Sequence, residues 1–210
     1  MSHLEARSVS ASIDSEVLLA PVSFAVPAGT ALAILGANGS GKTTLLRIIS
    51  GHLRPTAGAA LLDGRPVDER NRTARRAISA RIGLPAFARE LTAHEQLRFI
   101  ATTWGRTGST ATDAADATMQ QLGISELRNR FVHELSSGQT QLLSLATALV
   151  RPFDVLILDE PEQRLDAHRR HLVATAVRRE IDRGASVVIA SHNVEMVDSI
   201  ADATVTLGHQ

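Results

Sequence analysis

The 210-residue chain has no cysteine and no tyrosine, one tryptophan and five phenylalanines. Without cysteine there is no disulfide framework, no thiol nucleophile and no cysteine-ligated zinc or iron–sulfur site. Net charge is missing as well: 22 basic side chains meet 22 acidic ones. No global field draws such a chain to nucleic acid or to an anionic bilayer, so nucleic acid is not an expected partner. The longest nearly apolar stretches, Ala31–Leu35, Leu142–Val150 and Val155–Leu158, fall well short of the ~20 residues that cross a bilayer as a helix. Met1 to Ala11 is polar, with Glu5 and Arg7, and lacks the apolar stretch of a secretory signal, so export by that route is not expected. What is present is apolar material, 44% of residues, enough for one sizeable core with an embedded lobe.

Runs rich in Val, Ile, Leu and Ala at Thr30–Leu35, Ala59–Leu62, Val155–Leu158, Ser186–Ala190 and Thr204–Leu207 are bounded by Gly, Asp, Pro or Ser and mostly read as buried strands. Helical patterns lie between them at Gly41–Ser50, His94–Trp104, Ala111–Leu122, Gln139–Val150, Asp166–Arg183 and Val194–Ile200. In the fifth, Leu172, Val173, Ala176, Val177 and Ile181 form one apolar stripe while Arg169, Arg170, Arg178 and Arg179 face elsewhere, the pattern of a helix packed on a sheet. Strands alternating with helices predict an α/β fold with a mainly parallel sheet. The first 26 residues differ: Ser8–Ile13 and Val17–Val26 alternate around Asp14–Ser15, as in an antiparallel hairpin or meander beside the main sheet. From Leu84 to Leu135 the strand signal fades into helices. The expected organisation is one domain over 1–210, with an α/β core in 1–83 and 136–210 and a helical lobe in 84–135.

Gly36-Ala37-Asn38-Gly39-Ser40-Gly41-Lys42-Thr43 fits the phosphate-loop pattern and lies between a strand and a helix, where that pattern works. Its glycines let backbone amides wrap a polyphosphate at a helix N-terminus. Lys42 reaches the β- and γ-phosphates in this reading, and Thr43 ligates Mg²⁺. Lys42 is the only lysine among 22 basic residues, kept where a compact ammonium suits better than a planar guanidinium. Val155–Leu158 runs into Asp159 and Glu160, placing Asp159 to hold the magnesium and Glu160 to polarise an attacking water. His192 follows the strand Ser186–Ala190 at the end of the sheet where ligands of α/β folds gather. Leu135-Ser136-Ser137-Gly138-Gln139 precedes a helix; it reads either as a plain serine N-cap or as a second phosphate-binding helix end. Arg70, Arg72, Arg75, Arg76 and Arg81 read as a solvated helix face.

The order of these motifs resembles the ATP-binding cassette ATPases, the nucleotide-binding subunits of ABC transporters, over nearly the whole chain. Val22-Ser23-Phe24, Pro27-Ala28-Gly29, Gly51 with Pro55 and Gly58, Leu91-Thr92 with Glu95, Asp159-Glu160-Pro161 with Leu165-Asp166, and Ala201-Asp202 with Gly208 extend the likeness. The resemblance implies a P-loop NTPase core that binds ATP and Mg²⁺. It implies Gly36, Asn38, Gly39, Ser40, Gly41, Lys42, Thr43 and Thr44 as nucleotide ligands, Thr43 and Asp159 at the metal, and Glu160 and His192 as catalytic residues. It further implies head-to-tail pairing with a second ATPase subunit, the same or a related chain, in which Ser136, Ser137, Gly138 and Gln139 close on the partner's γ-phosphate. An integral membrane subunit would dock around Leu84–Arg106, holding the protein at the cytoplasmic face of the cell membrane.

The chain departs from that pattern in places. Leu84-Pro85-Ala86-Phe87 stands where the family carries a glutamine after the strand ending Ile82-Gly83, and Gln96 lies too far along to take its place. No Tyr, Trp or His lies between Glu5 and Phe24, so the adenine contact falls to aliphatic residues such as Ile13 or Val17. Ser137 replaces the first glycine of the signature, a change tolerated where φ stays negative. Two alternatives stay open at this point: an ATPase acting on a non-transport assembly, and a slow ATP-binding switch.

Overall fold

In the computed structural model residues 3–14 and 16–208 are described; Met1, His209 and Ser15 at the expected hairpin tip lie outside them. The chain divides into two compact units, one of residues 1–82, 153–160 and 177–210 and one of residues 83–152 and 161–176.

The first unit holds two sheets. β1 (Leu4–Ile13) and β2 (Glu16–Val26) pair antiparallel from Leu4↔Val26 to Ile13↔Glu16, with irregular register in the middle. β4 (Ala57–Leu62) pairs antiparallel with β1, and β5 (Arg65–Pro66) with β4, giving the order β2-β1-β4-β5. Ala59–Leu62, one of the runs that read as buried strands, extends the antiparallel sheet. Its burial is visible in the residue types and its pairing partner is not. The join depends on Gly58, at φ +77°, where a Cβ would come within 2.2 Å of the Ser8 carbonyl oxygen.

The second sheet is parallel throughout. β3 (Ala31–Leu35) lies between β8 (Ser186–Ala190) and β9 (Ala203–Thr206), with β7 (Val155–Asp159) and β6 (Ile78–Arg81) beyond β8, in the order β6-β7-β8-β3-β9. Helix α1 (Lys42–Ile49) follows β3 and buries Leu45, Leu46, Ile48 and Ile49 in the cluster formed by Leu32, Ile34, Val155, Ile157 and Val188. Each such side chain contributes about 1.5–3 kcal/mol when fully buried, which anchors the loop ahead of α1. Helix α2 (Arg72–Ala77) is short, capped by Asn71 accepting from the Thr73 amide, and presents Arg72, Arg75 and Arg76 outward. Arg81 does not join them: it lies in β6 and is 5% exposed, against the expected solvated face.

In the second unit α3 (Ala93–Thr103) starts with a capping box, Thr92 accepting from the Glu95 amide and Glu95 accepting from Thr92 N. α4 (Gly108–Gln121) packs along it, and α5 (Ser137–Leu149) follows two short 3₁₀ turns at Ser125–Leu127 and Val132–Glu134. α6 (Ala167–Asp182) starts in this unit and ends in the first; Val173, Ala176, Val177 and Ile181 are buried and Arg178 and Arg179 are exposed. α7 (Val194–Ile200) joins β8 to β9. Among the described residues no helix is long and apolar enough to cross a membrane.

Candidate active site

The C-terminal ends of β3, β7 and β8 bring three segments together. After β3 the chain turns through Gly36 at φ +145°, Gly39 at +84° and Gly41 at +91°, conformations that side-chain-bearing residues resist. Space is also exhausted at two of them. A Cβ on Gly36 would meet Ser40 Oγ at 2.5 Å and the Leu207 carbonyl at 2.8 Å, and one on Gly41 the Leu18 carbonyl at 2.5 Å, whereas Gly39 faces nothing within 4 Å. Lys42, 7% exposed, folds back so that Nζ donates to the Gly36 and Ala37 carbonyls at 2.8 and 2.9 Å. The N-terminus of α1 has no side-chain cap and no acidic residue in its first turn. Its amides and the helix dipole therefore stay available to an anion.

Thr43 Oγ1 donates to Asp159 Oδ2 at 2.8 Å, linking the loop to the last residue of β7. Glu160 then takes a left-handed φ of +44° while its amide donates to the Ala190 carbonyl at 2.8 Å, which turns the carboxylate away from the strand direction. His192 Nε2 stands 3.3 Å from Glu160 Oε1. That histidine is held between Ser191, whose hydroxyl accepts from the Asn193 amide, and Asn193, which caps α7 by accepting from Met196 N. The two catalytic candidates from distant parts of the chain are thus in contact.

A cavity of about 310 Å³ opens over this loop, lined by Glu16, Val17, Leu18, Asn38, Gly39, Gly41, Lys42, Thr43, Thr44 and Glu160. Gly36 and Ser40 are not among its lining residues. Ser40 is buried, and its Oγ has no hydrogen-bond partner among the described residues. An uncapped helix end, exposed glycine backbone and an unsatisfied hydroxyl in the same loop fit a polyphosphate. Thr43 and Asp159 offer an oxygen donor set suited to Mg²⁺, which commonly takes one or two protein ligands and completes its shell from phosphate and water. No group of three or more His, Asp or Glu among the described residues is arranged to hold a metal by itself.

Val17, one of the two aliphatic residues expected at the base, lines the cavity, and Ile13 is exposed outside it. Sequence reasoning missed Glu16 and Leu18 on the same wall; an acidic residue and a leucine at a strand start carry no signal of their own. It also missed Arg81, whose Nη1 donates to the Asp159 carbonyl. The one available clue was its place in a short strand directly beside β7.

The segment expected to act on a partner's phosphate belongs to the second unit and does not line the cavity. Ser136 caps α5: Gln139 N donates to its Oγ at 3.3 Å, and Ser136 N donates to Gln139 Oε1 at 2.9 Å. Ser137 is the first helical residue, in backbone that any residue adopts. A Cβ on Gly138 would lie 3.1 Å from the Arg164 carbonyl, and Gln141 Nε2 donates to the Pro161 carbonyl, so this helix start is packed on the loop that follows Glu160. Gln96, in α3, is 6% exposed and spends its amide on Ala88, donating to its carbonyl and accepting from its N–H.

The family described as ABC transporter matches residues 19–163. Among curated proteins, the chain is 29% identical to a Nod factor export ATP-binding protein I of Rhizobium sp. (strain N33), covering 98% of this chain and 68% of that protein. It is 34% identical to the protein of the same name from Burkholderia lata, covering 95% and 66%, and 31% identical to that from Sinorhizobium fredii, covering 98% and 60%. The chain therefore spans about two thirds of the length of these relatives. A solved ATP binding subunit of an ABC transporter superposes with a TM-score of 0.87 at 25% identity, over 97% of this chain and 85% of that one. The dimeric structure of a bacterial ABC transporter cassette gives the same TM-score at 21% identity, over 98% and 94%, and supports the fold. A phosphate loop joined by a threonine to a strand-end carboxylate pair, on a fold shared with these cassettes, leads to one family: the chain belongs to the ABC transporters, as an ATP-binding cassette ATPase.

Proposed function

We propose that this cassette hydrolyses ATP at the cavity above α1 and drives a separate integral membrane subunit, working as a head-to-tail pair with a second ATPase subunit. The observation that carries the hydrolytic reading is the contact chain Thr43–Asp159 and Glu160–His192 beside the phosphate loop. Lys42 exchanges its loop carbonyls for the β- and γ-phosphates, while Gly39, Gly41, Thr43 and Thr44 present backbone amides to them. Thr43 and Asp159 would hold Mg²⁺. The bound metal supplies positive charge to the phosphate oxygens and relieves the protein of that task. Glu160 accepts the proton of the attacking water, and His192 orients the Glu160 carboxylate; a positioned base of this kind contributes about 10²–10⁴-fold. Val17 and Leu18 give the base an apolar wall in place of an aromatic stack. Ser136, Ser137, Gly138 and Gln139 of the second subunit close on the nucleotide from the far side, so that ATP joins the pair and hydrolysis releases it.

In this reading the membrane subunit docks around Leu84–Arg106 and holds the cassette at the cytoplasmic face. The export named in the curated relatives supports outward transport, with cargo chosen by the membrane subunit. The test is phosphate release by the purified chain with ATP and Mg²⁺. Glu160→Gln is expected to lower turnover at least about 10²-fold while retaining ATP, and Lys42→Ala to lose ATP retention. Full turnover by Glu160→Gln, or undiminished ATP retention by Lys42→Ala, refutes the assignment. Co-purification of a multi-span membrane protein from detergent extracts tests the transport half.

A further inference from the structure

We infer that Arg81 is a positioning residue of this site: from the end of β6 its guanidinium holds the main-chain carbonyl of Asp159 and thereby fixes the Asp159–Glu160 pair. The inference rests on the hydrolytic reading above and deepens it.

The register shows why an extra donor is needed. On the β8 side the ladder runs to the end of β7 and past it: Asp159 pairs with Ala190, and the Glu160 amide still donates to the Ala190 carbonyl at 2.8 Å. On the β6 side the last rung is Arg81↔Leu158. Alternation along a parallel strand turns the Asp159 carbonyl toward β6, one residue beyond where β6 has ended. There Arg81 Nη1 donates to it, a side chain standing in for the missing main-chain rung. Two anchors on opposite edges, Arg81 on the Asp159 carbonyl and Ala190 on the Glu160 amide, bracket the one peptide that links the two carboxylates. The chain turns sharply there, with Glu160 at φ +44°, a conformation that persists only when its surroundings over-determine it.

Arg81 is 5% exposed. Burying a guanidinium is costly unless it is paired or hydrogen-bonded, and the Asp159 carbonyl is one partner that Arg81 has there. A guanidinium stays charged at any working pH and offers several donors in a rigid fork. Arg81 is not among the residues that line the cavity; through its hydrogen bond to the Asp159 carbonyl it acts on the position of the carboxylates.

The experiment compares wild type, Arg81→Met, Arg81→Lys and Glu160→Gln. Loss of one charge-assisted hydrogen bond at the metal-holding peptide is expected to lower kcat of Arg81→Met about tenfold to a hundredfold. Binding of a fluorescent ATP analogue without metal stays at the wild-type level, and the Mg²⁺ concentration for half-maximal turnover rises. Amide hydrogen exchange gives the readout independent of activity: the Glu160 amide exchanges faster in Arg81→Met while Leu32, Ala33 and Ile34 in β3 keep their protection. Arg81→Lys, which retains charge and one donor, recovers part of both effects. A folded Arg81→Met with wild-type kcat and Mg²⁺ requirement overturns the inference, and so does a fall in kcat with uniform loss of protection across the sheet. Should Arg81→Met fail to fold, Arg81→Gln decides by the same readings. If Glu160→Gln turns over normally, the hydrolytic reading fails and takes this inference with it; if Glu160→Gln is inert and the Arg81 variants are unaffected, only this inference fails.

Discussion

Gly39 and Gly41 lie two residues apart in the same loop, share a left-handed backbone at φ +84° and +91°, and differ in what surrounds them. Replacing either with alanine incurs the left-handed penalty of about 1–2 kcal/mol. At Gly39 that is the whole cost, because an added Cβ meets nothing within 4 Å. At Gly41 the Cβ would sit 2.5 Å from the Leu18 carbonyl oxygen and 3.1 Å from Leu19 Cδ1. Leu18 and Leu19 belong to β2, which is paired with β1 and cannot retreat alone. Overpacking of that kind adds about 1–3 kcal/mol, so Gly41→Ala should lose roughly 2–5 kcal/mol in all. For a protein of this size the melting point moves about 2–4 °C per kcal/mol. That gives a drop of about 2–8 °C for Gly39→Ala and about 4–20 °C for Gly41→Ala by the same scaling. Scanning calorimetry without nucleotide is the assay. Intrinsic fluorescence is unsuitable, because the only tryptophan, Trp104, lies in the second unit. Equal losses at the two positions, or a larger one at Gly39, would refute the argument that the Leu18 contact sets the cost.

Other consequences are checked more briefly. His94 is 5% exposed and its pKa is lowered by burial and by the Arg128 and Arg98 charges, against Glu95; the nearby Asp116 carboxylate, 3.1 Å from Nε2, is already taken by Arg128. A histidine whose folded pKa lies below its unfolded value of 6.5 contributes stability that is present above that pH and lost as pH falls toward the folded pKa. Urea unfolding followed by Trp104 fluorescence should therefore weaken from pH 7 to pH 5, and His94→Gln should flatten that slope; an unchanged slope rejects the assignment. The Arg151 guanidinium lies 3.4 Å from the Trp104 ring centroid, and burial lowers its pKa to about 10. Arg151→Met should cost about 0.5–2 kcal/mol and shift Trp104 emission, whereas identical emission and stability would mean the stacked pair contributes nothing. Gly58→Ala, which would press a Cβ into the Ser8 and Arg7 carbonyls, should lower the calorimetric melting point of the first unit more than Gly64→Ala, whose Cβ meets nothing.

Much of the frame was readable because its signals are local. β3, β7 and β8 are five-residue runs that are buried along nearly their whole length, so a continuous apolar pattern marks them. Helix α7 matches its expected range because Asn193 caps it and Ile200 ends its buried face. The phosphate loop was legible for a similar reason: eight adjacent residues carry both the turn and its chemistry. What escaped was relational. β6 is four residues, Ile-Ser-Ala-Arg, too short and too mixed to show a period, so in the sequence the buried arginine at its end reads as one more member of the exposed cluster on α2. β4 advertised burial without saying which sheet would claim it. Glu16 became part of the cavity wall only because β2 begins beside the loop, a fact about tertiary placement that no window of sequence contains.

Lys42 Nζ donates to the carbonyls of Gly36 and Ala37. The loop is thus closed on itself in advance, its ammonium parked against its own backbone instead of roaming through solvent. Under the proposed function, phosphate binding would be a swap of partners within a ring that the fold itself shapes, so that much of the ordering cost is met while the chain folds.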